Sequence, residues 1–402
     1  MKTFALAGGP DGWADGGPDI QNVRASCRVG QEQCCRPART RPWDTQPGLM
    51  TDGITILCGG AGAGTAHAAA TDELVLAAAA HLTSRDRQLV RAVGEHRVLT
   101  TCQLAALGFG SVITARHRLA VLVQIGVLRR FRPHRETGSA PWHYLLGPVG
   151  AVLLGAEDAD EKRWLAAVRT DRQLALERSQ RLAHLVGVNW FFAALAAGAR
   201  SAGPGAELLL WLNEAATAGW LQGRAAARLA WEGPPRPDAL GCWAEHGQQV
   251  TFMLEYDTGS EHLPQLAGKL AGYSRLARAM ADVEQLCPAL LFCFAGPRRE
   301  QAARHALASA GEATALRIAT TGLDPEHASP AGPVWLPLLP GWAGGRVALC
   351  ALDAALPDPW GVYRDQRARE REQAAYAHVP PPWPADPDDD YDPAGPGTGC
   401  PS

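Results

Sequence analysis

The stretch TTCQLAALGFGSVITARHRLAVLVQIGVLRRF, residues 100–131, sets the reading of the whole chain. Thr100-Thr101 caps a short helix that turns Leu104, Ala105 and Leu107 inward and stops at Gly108. Ser111 caps the next, which carries Ile113, Leu119, Leu122, Val123 and Ile125 toward a core and ends at Gly126. Upstream, Thr83-Ser84-Arg85-Asp86 reads as a cap and acidic first turn for a helix burying Leu89, Val90 and Val93. Downstream, Val127 to Arg132 and Trp142 to Leu146 read as two strands joined by a polar turn about Gly138. Three helices followed by a hairpin is the order of a winged helix-turn-helix, expected here over residues 81–150.

In that fold the third helix lies in a DNA major groove and the hairpin rests on the backbone beside it. The outward face of the third helix offers Thr114, Arg116, His117 and Arg118; the hairpin adds Arg129, Arg130, Arg132, His134 and Arg135. From Arg97 through Trp142 the one carboxylate is Glu136. Such a local excess of cations suits a polyanion, so double-stranded DNA is the expected partner. The same module can instead serve as a protein-interaction unit with a solvated basic face.

Working outward, the formal charge of -3 hides this asymmetry, because Asp386, Asp388, Asp389, Asp390 and Asp392 crowd the far end. The 30 prolines and 43 glycines concentrate toward the two termini. Residues 1–70 show no apolar period and read as a low-complexity extension, with Met50 a plausible second start. Residues 366–402 read as an acidic Pro/Asp-rich disordered tail. Gly60 to Thr65 is Gly-rich but lacks the Gly-Lys-Ser/Thr of a phosphate loop, so it is a linker. The 10 cysteines contain no CxxC pair and sit mostly in apolar surroundings, the usage of a reduced, cytoplasmic protein. No run approaches about 18 apolar residues, so no membrane span is expected.

Residues 156–184 read as a charged helical linker, followed over 185–345 by a small α/β domain with a central mixed sheet. Its helices are expected at Leu185–Arg200 and His262–Ala281, its strands at Glu207–Trp211, Ala239–Trp243, Val250–Tyr256 and Ala289–Phe294. The class is therefore α+β and multidomain. The polar residues of the second domain gather around one strand end: Pro237-Asp238, then Glu255, Asp257 and Glu261, then Lys269 and Tyr273 one helical turn apart. Glu255 and Asp257 share a strand face, and converging carboxylates make an oxygen site suited to Mg2+. Two or three of these carboxylates would hold the ion, and the nearby Lys269 could stabilise a pentavalent phosphate or orient water. A satisfied salt-bridge network explains the same residues equally well. His184 reads as a core or capping histidine, and Tyr273 as a packed or hydrogen-bonded residue rather than a nicking nucleophile.

The run Pro237-Asp238, Phe252-Met253-Leu254-Glu255-Tyr256-Asp257-Thr258-Gly259-Ser260-Glu261, then Lys269 to Tyr273, resembles the replication-relaxation family of actinobacterial plasmid proteins. The resemblance covers roughly Leu82 to Leu338. It implies a winged helix joined to a domain similar to the PD-(D/E)XK nucleases, and a role in plasmid or mobile-element replication and DNA relaxation. Mg2+-dependent nicking is the activity such a domain would support, and the resemblance implies Asp238 and Glu255 as the metal ligands, with Asp257 and Lys269 as the other catalytic candidates. A non-enzymatic regulator with a degenerate nuclease-like domain is the alternative. Replication or transfer proteins, and further copies of the chain, are the other implied partners. One departure stands out: the lysine of that nuclease pattern belongs two residues after the glutamate, where this chain has Asp257, leaving Lys269 to substitute from the next helix.

Overall fold

The computed structural model describes residues 72–134, 138–179, 181–225 and 235–377. The expected N-terminal extension and most of the acidic tail lie outside these residues, as does Arg135. The described chain is mixed α/β, and its elements fall into a helical head and a larger sheet-based layer.

The head begins with α1 (Asp72–His81) and α2 (Ser84–His96), the latter opened by a reciprocal capping box between Thr83 and Asp86. A short β1 (Leu99–Thr100) leads into α3 (Thr101–Gly108), where Thr100 and Gln103 form a second capping box. Ser111 then caps α4 (Val112–Gln124). Gly126 adopts a φ of +72°, a left-handed conformation that costs glycine little, and turns the chain into β2 (Leu128–Phe131). β3 (His143–Leu146) pairs antiparallel with both β2 and β1, closing a three-stranded sheet in the order β1-β3-β2. β1 adds a third strand to the expected hairpin; two residues are too few to leave a period in the sequence.

Next come α5 (Pro148–Asp158), α6 (Glu161–Ala167) and α7 (Thr170–Glu177). The sequence suggested one long spacer helix here, but the chain breaks twice and folds back on the head. Trp164 is buried, and the buried Gln173 donates to the Leu146 carbonyl at 2.9 Å. A charged exterior conceals such packing when only two or three residues per helix turn inward.

The layer opens with α8 (Leu182–Ala202), longer than expected at both ends. β4 (Ala206–Asn213), α9 (Glu214–Ala225), β5 (Ala239–Glu245) and β6 (Gln248–Asp257) follow, the three strands forming an antiparallel meander. α10 (Leu263–Ala281) crosses over to β7 (Ala289–Phe294), which runs parallel to β6. α11 (Pro297–Ala308), β8 (Ile318–Thr321) and β9 (Leu336–Pro337) complete a six-stranded mixed sheet in sequential order. The chain then forms α12 (Leu352–Ala355) and α13 (Gly361–Ala377). The helix α13 corrects the expectation of disorder from residue 366. Arg- and Glu-rich segments without an apolar face still form helices, supported here by the Arg367–Glu370 pair and by Arg371 reaching Glu284 at 3.0 Å.

Each sheet face has its own cover. Phe292, Phe294, Met253 and Leu240 pack beneath α10 and α11. Phe252, Leu254, Trp243 and Trp211 pack against Phe191 and Phe192 of α8. That second core continues without a break into the head, through Leu104, Phe109, Leu119 and Leu122. Polar bonds reinforce the seam. The Asn189 side chain donates to the carbonyls of Val98 (2.7 Å) and His96 (3.2 Å), Gln103 to Val186 (2.7 Å), and Asn213 to Glu95 (2.6 Å). The His96 ring stacks on Trp211 at 3.5 Å. By length and composition α8 could cross a membrane, which the sequence reading overlooked, but it is mostly buried between the sheet and the head.

Candidate functional site

Two polar constellations emerge, one on the head and one at the end of β6. On the head, burial alternates along α4: Val112, Ala115, Leu119 and Leu122 are inside, while Thr114 and His117 are exposed. Ile113, expected in the core, is instead 60% exposed. Helical geometry allows either Val112 or Ile113 to face in; Ser111 as the cap orients the first turn so that Val112 does.

Of the nine expected DNA-contacting residues, Arg135 lies outside the described residues, and the others divide. Arg118 turns back to the buried Asp86, with Nη2 to Oδ2 at 2.6 Å and Nε to Oδ1 at 3.1 Å, and to the His81 carbonyl at 2.8 Å. Arg129 donates to Gln173 at 2.5 Å. These two guanidiniums staple the head together. Arg130 and Arg132, two residues apart on one strand face, each lie 4.2 Å from the Trp142 ring centroid. Arg132 also bonds Ser139 at 2.7 Å. Burial raises the Tyr144 hydroxyl, and the bond from Thr101 and the bond and charge of Arg130 pull against that rise. Arg130 and Arg132 therefore form one basic patch around Trp142, and Arg116 lies on α4 between exposed Thr114 and His117.

The second constellation straddles the C-terminal end of β6. Alternation along the strand sends Glu255 and Asp257 to the α10–α11 face and Tyr256 to the α8 face. Tyr256 lies over Gly187, where a β-carbon would stand 2.3 Å from the ring. Asp238, just before β5, anchors to both sides: Oδ2 accepts from the Tyr256 amide at 2.8 Å, and Oδ1 lies 2.9 Å from His184 Nε2 in the first turn of α8. Glu255 is 5% exposed. Lys269 Nζ donates to its Oε2 and to Glu261 Oε2, both at 2.9 Å, and the Tyr273 hydroxyl donates to its Oε1. Asp257 stands apart, taking Arg299 Nε at 2.9 Å and the Gly259 amide at 2.6 Å.

Burial pushes the Glu255 carboxyl up to about 7, and the negative charge of Asp238 adds to the rise, against the pull of Lys269 and Tyr273. Burial would lower Lys269, but Glu255 and Glu261 raise it well above its ordinary value. His184 behaves likewise: burial opposes its charge, and the bond and charge of Asp238 more than offset that. The Tyr273 hydroxyl is raised by burial and by the charge of Glu255.

Glu255 and Lys269 are thus in direct contact, Asp238 lies near enough for its charge to act on Glu255, and Asp257 is diverted to Arg299. His184, Glu261 and Arg299 complete the arrangement. Of these, His184 lies 54 residues from Asp238 and Arg299 lies 42 from Asp257, separations at which no spacing rule operates. Tested against Mg2+, the donor set does not fit as arranged. Both oxygens of Asp238 and both of Glu255 already have protein hydrogen-bond partners, and Lys269 sets a positive charge against Glu255 where a cation would sit. Among the described residues no group of three or more His, Cys, Asp or Glu is placed to hold a metal ion.

Neither the curated proteins nor the solved structures contain a match to this chain. The family model described as Replication-relaxation matches residues 90–288, a span that includes the basic patch and the whole Asp238–Glu255–Lys269–Tyr273 cluster. The chain belongs to the replication-relaxation family.

Proposed function

We propose that this chain is a double-stranded DNA-binding protein of plasmid or mobile-element replication, acting in the cytoplasm, whose head is a winged helix-turn-helix. The observation that carries the reading is the joint presentation of exposed Thr114 and His117, with Arg116 between them on α4, and of Arg130 and Arg132 around Trp142. A major groove takes a helix with donors on its outer face, and the flanking phosphates take the adjacent cations. Arg118 and Arg129 support the fold of that surface instead of touching DNA. The layer acts as the rigid mount through which replication or transfer proteins, or a second copy of the chain, sense where the head is bound.

Fluorescence anisotropy with labelled duplex between about 50 and 200 mM salt tests this reading. A log–log slope corresponding to several phosphate contacts is expected, at about 0.9 per contact. Salt-independent or absent binding would refute it.

A second reading, metal-dependent nicking by a nuclease-like layer, draws support from Asp238 and Glu255 at the ends of neighbouring strands, close enough for the charge of Asp238 to raise the Glu255 carboxyl. It requires Lys269 and Tyr273 to release Glu255. Supercoiled plasmid incubated with Mg2+, with Mn2+ and with chelator decides it: nicking abolished by Asp238→Asn and Glu255→Gln would establish the enzyme, and intact plasmid throughout would leave the regulator.

A further inference from the structure

Residue 113 is the anomaly of α4. Four apolar residues of α4 are buried, yet Ile113 is 60% exposed and Val121, two turns on, is 38% exposed. At about 100° per residue, Ile113, His117, Ala120, Val121 and Gln124 share one ridge of the helix, with Arg116 along one edge. An exposed β-branched side chain gains nothing from water, and its cover must also suit the cations around it. A duplex major groove satisfies both demands. It is flanked by phosphates, and the one apolar group it displays on a base edge is the C5-methyl of thymine. Ile113 is the second residue of α4, and recognition helices touch bases with their first turns.

We infer that Ile113 is a specificity residue that packs on a thymine methyl, so that the head selects sites with thymine at one fixed position. The inference rests on the duplex-DNA reading above. It assigns His117 and Gln124, farther along the ridge, to neighbouring polar base edges, and Arg116 and the Arg130–Arg132 patch to sequence-independent phosphate contact.

The test starts with full-length protein and a pool of duplexes carrying a random core, enriched over several rounds of binding. The wild-type chain is expected to enrich a site with an invariant thymine. Replacing that thymine by deoxyuridine removes only the methyl, and should weaken wild-type binding about threefold to tenfold. Ile113→Ala should bind the thymine and deoxyuridine duplexes alike, at the wild-type affinity for deoxyuridine and with an unchanged salt slope. Ile113→Val, shorter by one methylene, should keep part of the discrimination. Salt-dependent binding with no invariant thymine, or equal affinity of wild type for both duplexes, would overturn the Ile113 inference while leaving the DNA reading intact. No duplex binding at any salt would overturn both. Retained affinity with recruitment of a purified apolar partner through Ile113 would identify the ridge as a protein-docking face and overturn the inference.

Discussion

Asp86 in the head and Glu255 in the layer are both buried carboxylates facing a cation, yet their protons respond in opposite directions. Burial would raise both. At Asp86 the bonds from Arg118 and from Thr83 overcome burial and hold the carboxyl below its usual range. At Glu255 the single cation is shared with Glu261, Asp238 adds a like charge, and the carboxyl rises to about 7. Asp86 is therefore a committed anion inside a cap and staple, whereas Glu255 hovers between charged and neutral. The comparison separates a carboxylate whose bonds outweigh its burial from one whose burial, with a like charge beside it, outweighs its bonds.

The largest effect should come from breaking the staple. Asp86→Ala removes the acceptor for Thr83 and Arg118 together and is expected to cost about 3–4 kcal/mol in urea unfolding. A loss below about 1 kcal/mol would mean that Asp86 is not the anchor its bonds imply.

The two sites should also part under pH. Asp86 is depressed, so its contribution is present above about pH 3.8 and lost only as pH falls below that. Glu255 is raised: between about 4.5 and about 7 the folded state holds the extra proton, so stability declines as pH rises through that window, by at most about 3 kcal/mol. His184, also raised, contributes below about 6.5 and loses that contribution as pH climbs past its folded value. Stability measured from pH 5 to pH 8 should therefore fall, and Glu255→Gln should flatten the fall. Equal stability at the two ends in wild type would erase the contrast between the carboxylates.

Gly187→Ala sharpens the layer side of the comparison. Its new methyl would press on the Tyr256 ring, disturbing the strand end whose amide holds Asp238, at a cost of about 2 kcal/mol. Tyr273→Phe removes a single bond to Glu255 and should cost about 1 kcal/mol while shifting the pH midpoint of the decline upward, since Tyr273 pulls that carboxyl down. A midpoint moving the other way would reverse the assigned role of the hydroxyl. Smallest of all should be the stability change in the triple variant Arg116→Ala, Arg130→Ala, Arg132→Ala, within about 1 kcal/mol, while its DNA salt slope falls by up to about 0.9 per lost contact. A variant that unfolds would place these arginines with Arg118 as structural residues.

Much of the head was legible locally. The capping boxes at Thr83 and Thr100, the cap at Ser111 and the stop at Gly126 act over three or four residues, so the helices could be read in order. The meander and the crossover helix of the layer were likewise carried by apolar period. What period could not give was which of two adjacent residues faces inward, and Val112 against Ile113 is the case that matters. Equivalent charges were indistinguishable too. Arg116 and Arg118 look alike on a helical wheel, and only the approach of Asp86 from another helix makes Arg118 a staple.

The sequence by itself determined the three capped helices and hairpin of the head, the crossover from β6 through α10 to β7, and the nearness of Glu255 and Lys269 at one strand end, because these depend on neighbours in the chain and on strand alternation. Tertiary structure alone decided that Asp257 belongs to Arg299, that His184 belongs to Asp238, and that the head and the layer share one core through α8. Those outcomes depend on which surfaces meet across 40 to 120 residues, where the free energy of burial selects the contact and no local pattern records it.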